Sequence, residues 1–135
     1  MSEPFRTSHQ TEIQVRFNDT DALGHINNTS FALYAEYARV EFLDSLRTDD
    51  VYLILAHLSI DFVKQVKFRE AVHVTTQVEK IGNSSVTLVQ EVYASGEVAA
   101  RVRSTVVLFD YGAQKSVRIP DEVREQLSDY TLTEA

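Results

Sequence analysis

One long helical segment followed by four alternating segments constrains the fold of this chain more than any other feature. Residues 28–47 show a helical pattern with apolar side chains on more than one stripe, which predicts a helix covered on most sides. Residues 56–66, 71–81, 85–94 and 99–109 then alternate apolar and polar side chains. That alternation is typical of half-buried β-strands, so the sequence predicts one helix and a sheet to cover it.

The connections between the segments predict how the strands pair. Short turns at Lys80–Ser84 and Ala94–Glu97 are typical of β-hairpins, and consecutive hairpins give an antiparallel sheet. Residues 11–18 alternate as well, which predicts a strand before the helix with Phe17 on its apolar face, and Pro120 opens a short terminal helix. We therefore expect an α+β fold, with an antiparallel β-sheet wrapped around one long central α-helix.

Composition excludes several classes of function. A length of 135 residues favours one domain, residues 1–135, and a net charge of −7 argues against a nucleic-acid partner. The absence of Cys excludes disulfides and thiolate chemistry. No apolar stretch approaches the roughly 20 residues of a membrane span, and residues 1–10 lack the apolar region of a secretory signal. We expect a cytoplasmic protein with no membrane partner.

A motif before the helix suggests a family. Residues 15–28 contain the pair Asp19 and Asp21, then Gly24-His25, then Asn27-Asn28 at the helix start. This pattern resembles the 4-hydroxybenzoyl-CoA thioesterase-like family of hotdog-fold acyl-CoA thioesterases. Residues 34–42 resemble the central helix of that family and residues 80–85 its hairpin, so the resemblance covers residues 11–128. It implies the hotdog fold and hydrolysis of an acyl thioester.

The resemblance implies that Asp21 is the catalytic carboxylate, as a nucleophile or as a general base on water. Elementary chemistry agrees, because a carboxylate beside a helix start can attack a thioester carbonyl or orient a water molecule. The alternative is that Asp21 is an ordinary turn residue. We expect Asp19 to tie down the loop by hydrogen bonds from its side chain to the backbone rather than to perform chemistry.

The helix start supplies the second part of the predicted site. The backbone N–H groups of Asn27 and Asn28 lack intrahelical partners, so they can cap the helix, face a negative charge, or both. The resemblance assigns polarisation of the thioester carbonyl to the amide of Asn28, with Asn27 beside the substrate. His25 either donates to the substrate carbonyl or braces the loop. Related plant acyl-carrier-protein thioesterases carry Asp, Asn and His in a similar run, with the Asn at the position of Leu23. That set of three residues is therefore incomplete here.

Substrate contacts are predicted in the first hairpin. By resemblance Lys80, Ser84 and Ser85 bind the CoA part of the substrate. Some family members place two Arg where this chain has Gly82 and Asn83, so acyl-CoA and an acyl-carrier-protein thioester both remain open as substrates. Other candidate cations are Lys64, Lys67, Arg69 and Arg103. Glu36 on the helix is a reserve candidate for the catalytic carboxylate.

The predicted activity is therefore acyl-CoA thioester hydrolysis, and two alternatives stay open. One is a hotdog dehydratase, although the chain has no His-Phe-Pro-Gly-like run. The other is a non-catalytic acyl-CoA binding module. The four His lie on separate predicted elements, so we expect no metal and no cofactor. The resemblance implies a homodimer, possibly stacked into a tetramer, with active sites between protomers. The acyl group is not determined by the sequence.

Overall fold

The computed structural model describes residues 8–44 and 51–131. Its elements, in chain order, are β1 (His9–Ile13), a 3₁₀ turn (Phe17–Asp19), α1 (Asn28–Asp44), β2 (Val51–Phe62), β3 (Val72–Ile81), β4 (Ser85–Ala94), β5 (Glu97–Asp110), β6 (Lys115–Ser116) and α2 (Asp121–Ser128).

The strands form one antiparallel sheet whose main path runs β1-β3-β4-β5-β2, with β6 paired to the end of β5. Its inner face packs on α1, and the buried apolar side chains fall into two clusters. The first, around Phe31 and Ala35, lies under the first half of α1; the second, around Phe42 and Leu88, lies under its second half and α2. The predicted α+β architecture, a sheet wrapped around one long central helix, is confirmed.

A buried amide joins the helix to the sheet at the centre of this core. Gln90 on β4 is fully buried, and its Nε2 donates to the backbone oxygen of Ala35 on α1 at 3.0 Å and to Oγ1 of Thr76 at 3.1 Å. Buried polar groups are retained where they are hydrogen-bonded. This contact fixes the position of α1 along the sheet, and hence the position of its N-terminus.

The helix is less covered than the sequence predicted. Leu33, Tyr37 and Val40 form a stripe on α1 in which each residue is 52–58% exposed. The prediction that α1 is covered on most sides is wrong for the single chain, because the sheet reaches only one side of the helix. Neither helix in the described residues is long and apolar enough to cross a membrane.

Two predicted strands have different bounds in the structure. β1 ends at Ile13, and Phe17 lies in the 3₁₀ turn with its side chain 74% exposed, because the Asp19 carboxylate accepts a hydrogen bond from the Arg16 amide and turns the chain there. β2 begins at Val51 rather than at residue 56, since a bulge between Leu55 and His57 breaks the alternation. The predicted helix residues 45–47 lie outside the described residues.

The two candidate regions lie at opposite ends of the sheet. Ile13, which leads into the Asp19–Asp21 loop, pairs with Val72 at the start of β3. The predicted CoA-binding hairpin follows Ile81 at the end of β3. A strand of ten residues spans about 30 Å. In one protomer the hairpin is therefore far from the loop.

Candidate active site

The segment between β1 and α1 forms a tight loop that presents Asp21. The amide of Gly24 donates to the backbone oxygen of Asp21 at 3.2 Å, and the amide of Asp21 donates to the oxygen of His25 at 2.7 Å. Gly24 adopts φ +85°, a left-handed conformation that favours glycine. Thr20 and Ile26 pair across the base of the loop. The loop therefore holds Asp21 outward at its tip.

The Asp21 carboxylate has one oxygen that accepts hydrogen bonds and one that is free. Its Oδ1 accepts the amide of Leu23 at 2.8 Å and that of His25 at 3.1 Å, while Oδ2 has no hydrogen bond within the described residues. The backbone hydrogen bond from His25, then that from Leu23, lowers the pKa of Asp21 below the usual range of an aspartate. Asp21 is thus an exposed, ionised carboxylate whose orientation is fixed and whose second oxygen is available.

Asp19 has the opposite environment, because it is 3% exposed and both of its carboxylate oxygens accept hydrogen bonds. Its Oδ2 accepts the Tyr34 hydroxyl at 2.7 Å and the Arg16 amide at 2.9 Å, and its Oδ1 accepts Nη2 of Arg16 at 3.1 Å. Burial alone would raise the pKa of Asp19, but these three hydrogen bonds outweigh it and the pKa is lowered. Asp19 makes the loop-bracing hydrogen bonds that the sequence predicted.

The start of α1 leaves one amide free. Asn27 caps the helix, because its Oδ1 accepts the amide of Thr29 at 3.0 Å. The amide of Asn27 has no partner within the helix, as expected, but it donates to the backbone oxygen of Asp19 at 2.8 Å and is therefore not available to a ligand. The amide of Ser30 donates to the oxygen of Asn27. The amide of Asn28 has no acceptor in the described part of the chain, which leaves it available to a ligand.

These groups line one open cleft of about 430 Å³. Its walls are Asp21, His25, Ile26, Asn27, Asn28, Phe31, Phe62, Val63, Lys64 and Gln65. The structure therefore brings together four of the residues predicted from the sequence, namely Asp21, His25, Asn27 and Asn28. His25 is half-buried, and its Nδ1 is buried without a hydrogen-bond partner among the described residues. The imidazole can thus brace the loop or face the cleft with Nε2.

Sequence reasoning missed the opposite wall of the cleft, residues 62–65. This segment reaches the loop because the amide of Ile26 donates to the backbone oxygen of Val66 at 2.6 Å and His25 pairs with Lys67. Lys64, which the sequence suggested only as a possible cation, lines the cleft and forms an ion pair with Glu97 at 2.8 Å. No local sequence signal marks these residues, since the pairing joins segments about 40 positions apart.

The hairpin residues Lys80, Ser84 and Ser85 do not line this cleft. Ser84 lines a separate apolar cavity beneath α2. Arg124 of α2 holds the hairpin, because its Nη2 donates to the backbone oxygens of Gly82 at 2.7 Å and Asn83 at 3.1 Å. The CoA-binding role of the hairpin stays a prediction.

One further candidate, the reserve carboxylate Glu36, lies elsewhere. Glu36 is exposed on α1 beside Arg39 and does not line the Asp21 cleft. Across the described ranges, no group of three or more His, Asp and Glu side chains is arranged to hold a metal ion.

Comparison with known proteins identifies the family. The family model described as the thioesterase-like superfamily matches residues 15–127, which include the loop, α1 and the entire sheet except β1. The chain belongs to the thioesterase-like superfamily. Thioesterase-like proteins of this kind share the hotdog fold, so the family and the fold predicted from the sequence are both confirmed.

Several relatives of this thioesterase-like chain are known by name or structure. It is 25% identical over 126 residues to the long-chain acyl-CoA thioesterase FadM of Escherichia coli, covering 87% of this chain and 96% of FadM. A predicted thioesterase from Bacillus stearothermophilus superposes with a TM-score of 0.87 at 31% identity, over 96% and 100% of the chains. A Thermus thermophilus thioesterase solved with coenzyme A and Zn superposes with a TM-score of 0.79 at 28% identity, and the match covers 87% of this chain and 95% of that one.

Replacing Tyr34 by Phe tests the Asp19 contact. The substitution removes a hydrogen bond to a buried carboxylate, so we expect the free energy of unfolding to fall by about 1–3 kcal/mol. Because the pKa of Asp19 is lower in the folded than in the unfolded state, its protonation favours unfolding as pH falls. With one stabilising bond fewer, acid unfolding should begin at higher pH. Denaturant titration across pH checks both effects.

Tyr130→Phe is the matched control, because the Tyr130 ring packs on Phe42 while its hydroxyl makes no hydrogen bond with the described residues. An equal loss of stability in both variants would contradict the role of Asp19.

The pH dependence of catalysis tests the state of Asp21. Hydrogen bonds from His25 and Leu23 hold its pKa below the usual range of an aspartate, so the carboxylate stays ionised in mild acid. We expect kcat/KM for thioester hydrolysis to show no acid limb above about pH 5 while the protein remains folded. An acid limb centred near neutral pH would show that a different group controls the reaction.

Proposed function

We propose that this protein is an acyl-CoA thioesterase that uses Asp21 as nucleophile or general base and the Asn28 amide to polarise the thioester carbonyl. One observation carries the proposal: Asp21, with a free carboxylate oxygen, and Asn28, with a free helix N-terminal amide, line the same cleft. Membership of the thioesterase-like superfamily supports it, as does similarity to proteins named acyl-CoA thioesterases.

The chemistry needs only these two groups and water. With the thioester oxygen at the Asn28 amide, the carbonyl carbon becomes electron-poor and a tetrahedral oxyanion is stabilised; donors of this kind typically lower the barrier by about 3 kcal/mol. Asp21 either attacks the carbonyl carbon through Oδ2, which gives a mixed anhydride that water then hydrolyses to the free acid, or takes a proton from a water that attacks and passes it to the departing sulfur. In both routes the carbon–sulfur bond breaks and the sulfur leaves. A mechanism without a metal stays a prediction.

The proposal extends to a homodimer formed along β2. This strand is an edge of the sheet, is 12 residues long and exposes the apolar side chains of Tyr52, Leu55, Leu58 and Phe62. Long apolar edges invite pairing, whereas the other edge, β1, has five residues. Two copies paired antiparallel across a two-fold axis would each cover the β2 edge of the other. Stacking of two such dimers stays a prediction.

A dimer of this form supports a role for the distant hairpin. The hairpin lies at the same end of the sheet as the start of β2, since Ser85 pairs with Val107 and Val51 pairs with Asp110 of the same strand. Antiparallel pairing along β2 brings that end of one protomer to the cleft of its partner. Lys80, Ser84 and Ser85 would then meet the CoA part of a thioester bound at the partner's Asp21. The predicted cytoplasmic location stays a prediction.

Substitution of Asp21 tests the central claim. Wild-type protein should release free thiol from one or more members of a panel of short, medium, long and aromatic acyl-CoAs, measured with a thiol dye. Asp21→Asn keeps the shape but removes the charge, so kcat should fall by at least ~10²-fold while the folded structure persists. Activity within a few-fold of wild type would remove Asp21 from its role.

Asp129→Asn, at an exposed carboxylate beyond α2, is the matched control and should retain full activity. The same panel separates the alternatives. Loss of the double bond from an enoyl-CoA would identify a dehydratase, and tight binding without turnover would identify a binding module.

The dimer is tested by adding charge to the β2 edge. Leu58→Lys places an unpaired cation in the proposed interface, so light scattering should show the 15.3 kDa monomer where the wild type shows a dimer. If the active sites lie between protomers, the rate of thiol release should fall as the fraction of dimer falls. Gln126→Lys on exposed α2 adds the same charge elsewhere and should leave the dimer intact. A wild-type monomer with full activity would contradict the assembly.

A further inference from the structure

Arg39 is a buried cation that the Asp21 chemistry does not use. It lies on α1, is 6% exposed, and its Nη1 is fully buried with no hydrogen-bond acceptor among the described residues. Burial lowers the pKa of its guanidinium, and the charge of Glu36 opposes that shift without a direct hydrogen bond. Buried charges normally have partners, so this guanidinium has donor capacity that the described residues leave unused.

The groove that Arg39 lines is largely apolar. It lies between α1 and the start of β2, has a volume of about 250 Å³, and includes Val40 and Leu55 in its walls. Its inner walls, Leu43, Leu53 and Val106, also line the small enclosed cavity beneath α2. A ligand can therefore place a hydrogen-bond acceptor near Arg39 and aliphatic carbons against the apolar walls of the groove, whereas the cavity beneath α2, of about 30 Å³, has room for little more than a methyl group.

The charges around the groove decide which acceptor fits. Glu36 and Asp44 line the groove with Arg39, and Asp44 has interactions of its own. The Glu36 carboxylate already offsets the charge of the guanidinium and would repel an anionic ligand. A neutral oxygen, such as a hydroxyl or keto group, can accept from the guanidinium without that repulsion.

The position of the groove relates it to the active site of a second copy. Antiparallel pairing centred on β2 places Leu53 of one protomer opposite Ile60 of its partner, beside Phe62, which lines the partner's cleft. Within one protomer, Asn28 and Arg39 are eleven residues apart on α1, or about 16 Å. The groove of one protomer and the Asp21 cleft of the other thus adjoin the same end of the paired strands.

We infer that the Arg39 groove of one protomer binds the acyl group of a thioester held at the partner's Asp21, and that Arg39 donates a hydrogen bond to a hydroxyl or keto oxygen on that acyl chain. The inference rests on the proposed function and names its substrate class: aliphatic acyl thioesters oxidised within the chain. The apolar walls beyond Arg39 accept the remaining carbons.

A pair of variants tests the oxygen contact. For acyl-CoAs of equal length, with and without a hydroxyl or keto group at successive positions, wild-type kcat/KM should favour one oxygenated series by about tenfold or more. Arg39→Met, which keeps the length of the side chain, should lose that preference, because kcat/KM for the oxygenated series falls toward that for the plain series. Arg101→Met, on the exposed face of β5 and paired with Glu91, is the control and should keep it. Equal preference in the wild type and Arg39→Met would overturn the inference.

A heterodimer tests whether the groove acts on the partner's site. One protomer carries Asp21→Asn and the other Arg39→Met, purified together through two different tags. If the groove serves the partner, one of the two sites is intact, so the heterodimer should show about half of the wild-type rate with the full preference for oxygenated chains. If each groove serves its own Asp21, the active site lacks Arg39 and the preference is lost, which would overturn the inference.

Binding separates failure of this inference from failure of the proposed function. Calorimetry with the Asp21→Asn protein measures the affinity for intact oxygenated and plain acyl-CoAs without turnover. Tighter binding of the oxygenated thioester, lost on adding Arg39→Met, would support the groove even if the wild type released no thiol. Equal affinities would overturn the role of Arg39 even in an active thioesterase.

Discussion

The buried carboxylate of Asp19 is the constraint on which the rest of the site depends. Its side chain holds Arg16 and Tyr34, and its backbone oxygen accepts the amide of Asn27 and the hydroxyl of Ser30. The chain entering from β1 and the first turns of α1 therefore meet at one residue. Hydrogen bonds to a buried charge are among the stronger ones in proteins, and loss of any one would leave a costly unpaired group. The loop tip is positioned because its base is fixed.

That arrangement separates two carboxylates only two residues apart. Asp19 is buried and both of its oxygens accept hydrogen bonds from the protein, whereas Asp21 is exposed and keeps one oxygen free. The helix start is divided in the same way. The amides of Asn27, Thr29 and Ser30 are taken by internal acceptors, which leaves that of Asn28. Preorganised donors act without reorganisation during the reaction, so a free amide and a fixed carboxylate in one cleft suit the proposed chemistry.

The sequence predicted the parts of this structure that depend on local patterns. Alternation and hairpin turns were sufficient for β3, β4 and most of β5, and the motif around Asp21 located the loop and the helix start. Predictions failed where a side chain or a bulge overrides the pattern. Phe17 continues an alternating run, yet the hydrogen bond between Asp19 and the Arg16 amide ends the strand before it. At Leu55 a bulge reverses the face that the alternation would assign.

The opposite wall of the cleft could not be predicted, because it depends on contacts between distant segments. Residues 62–65 reach the Asp21 cleft because the Ile26 amide donates to the backbone oxygen of Val66. No sequence pattern in either segment indicates that the two are in contact. The stripe of Leu33, Tyr37 and Val40 shows a related limit. Helical periodicity marks these positions as apolar but cannot say whether the sheet of the same chain or another surface covers them. Periodicity records that a face must be buried, and only the three-dimensional arrangement shows that one sheet is too narrow to bury all of this helix.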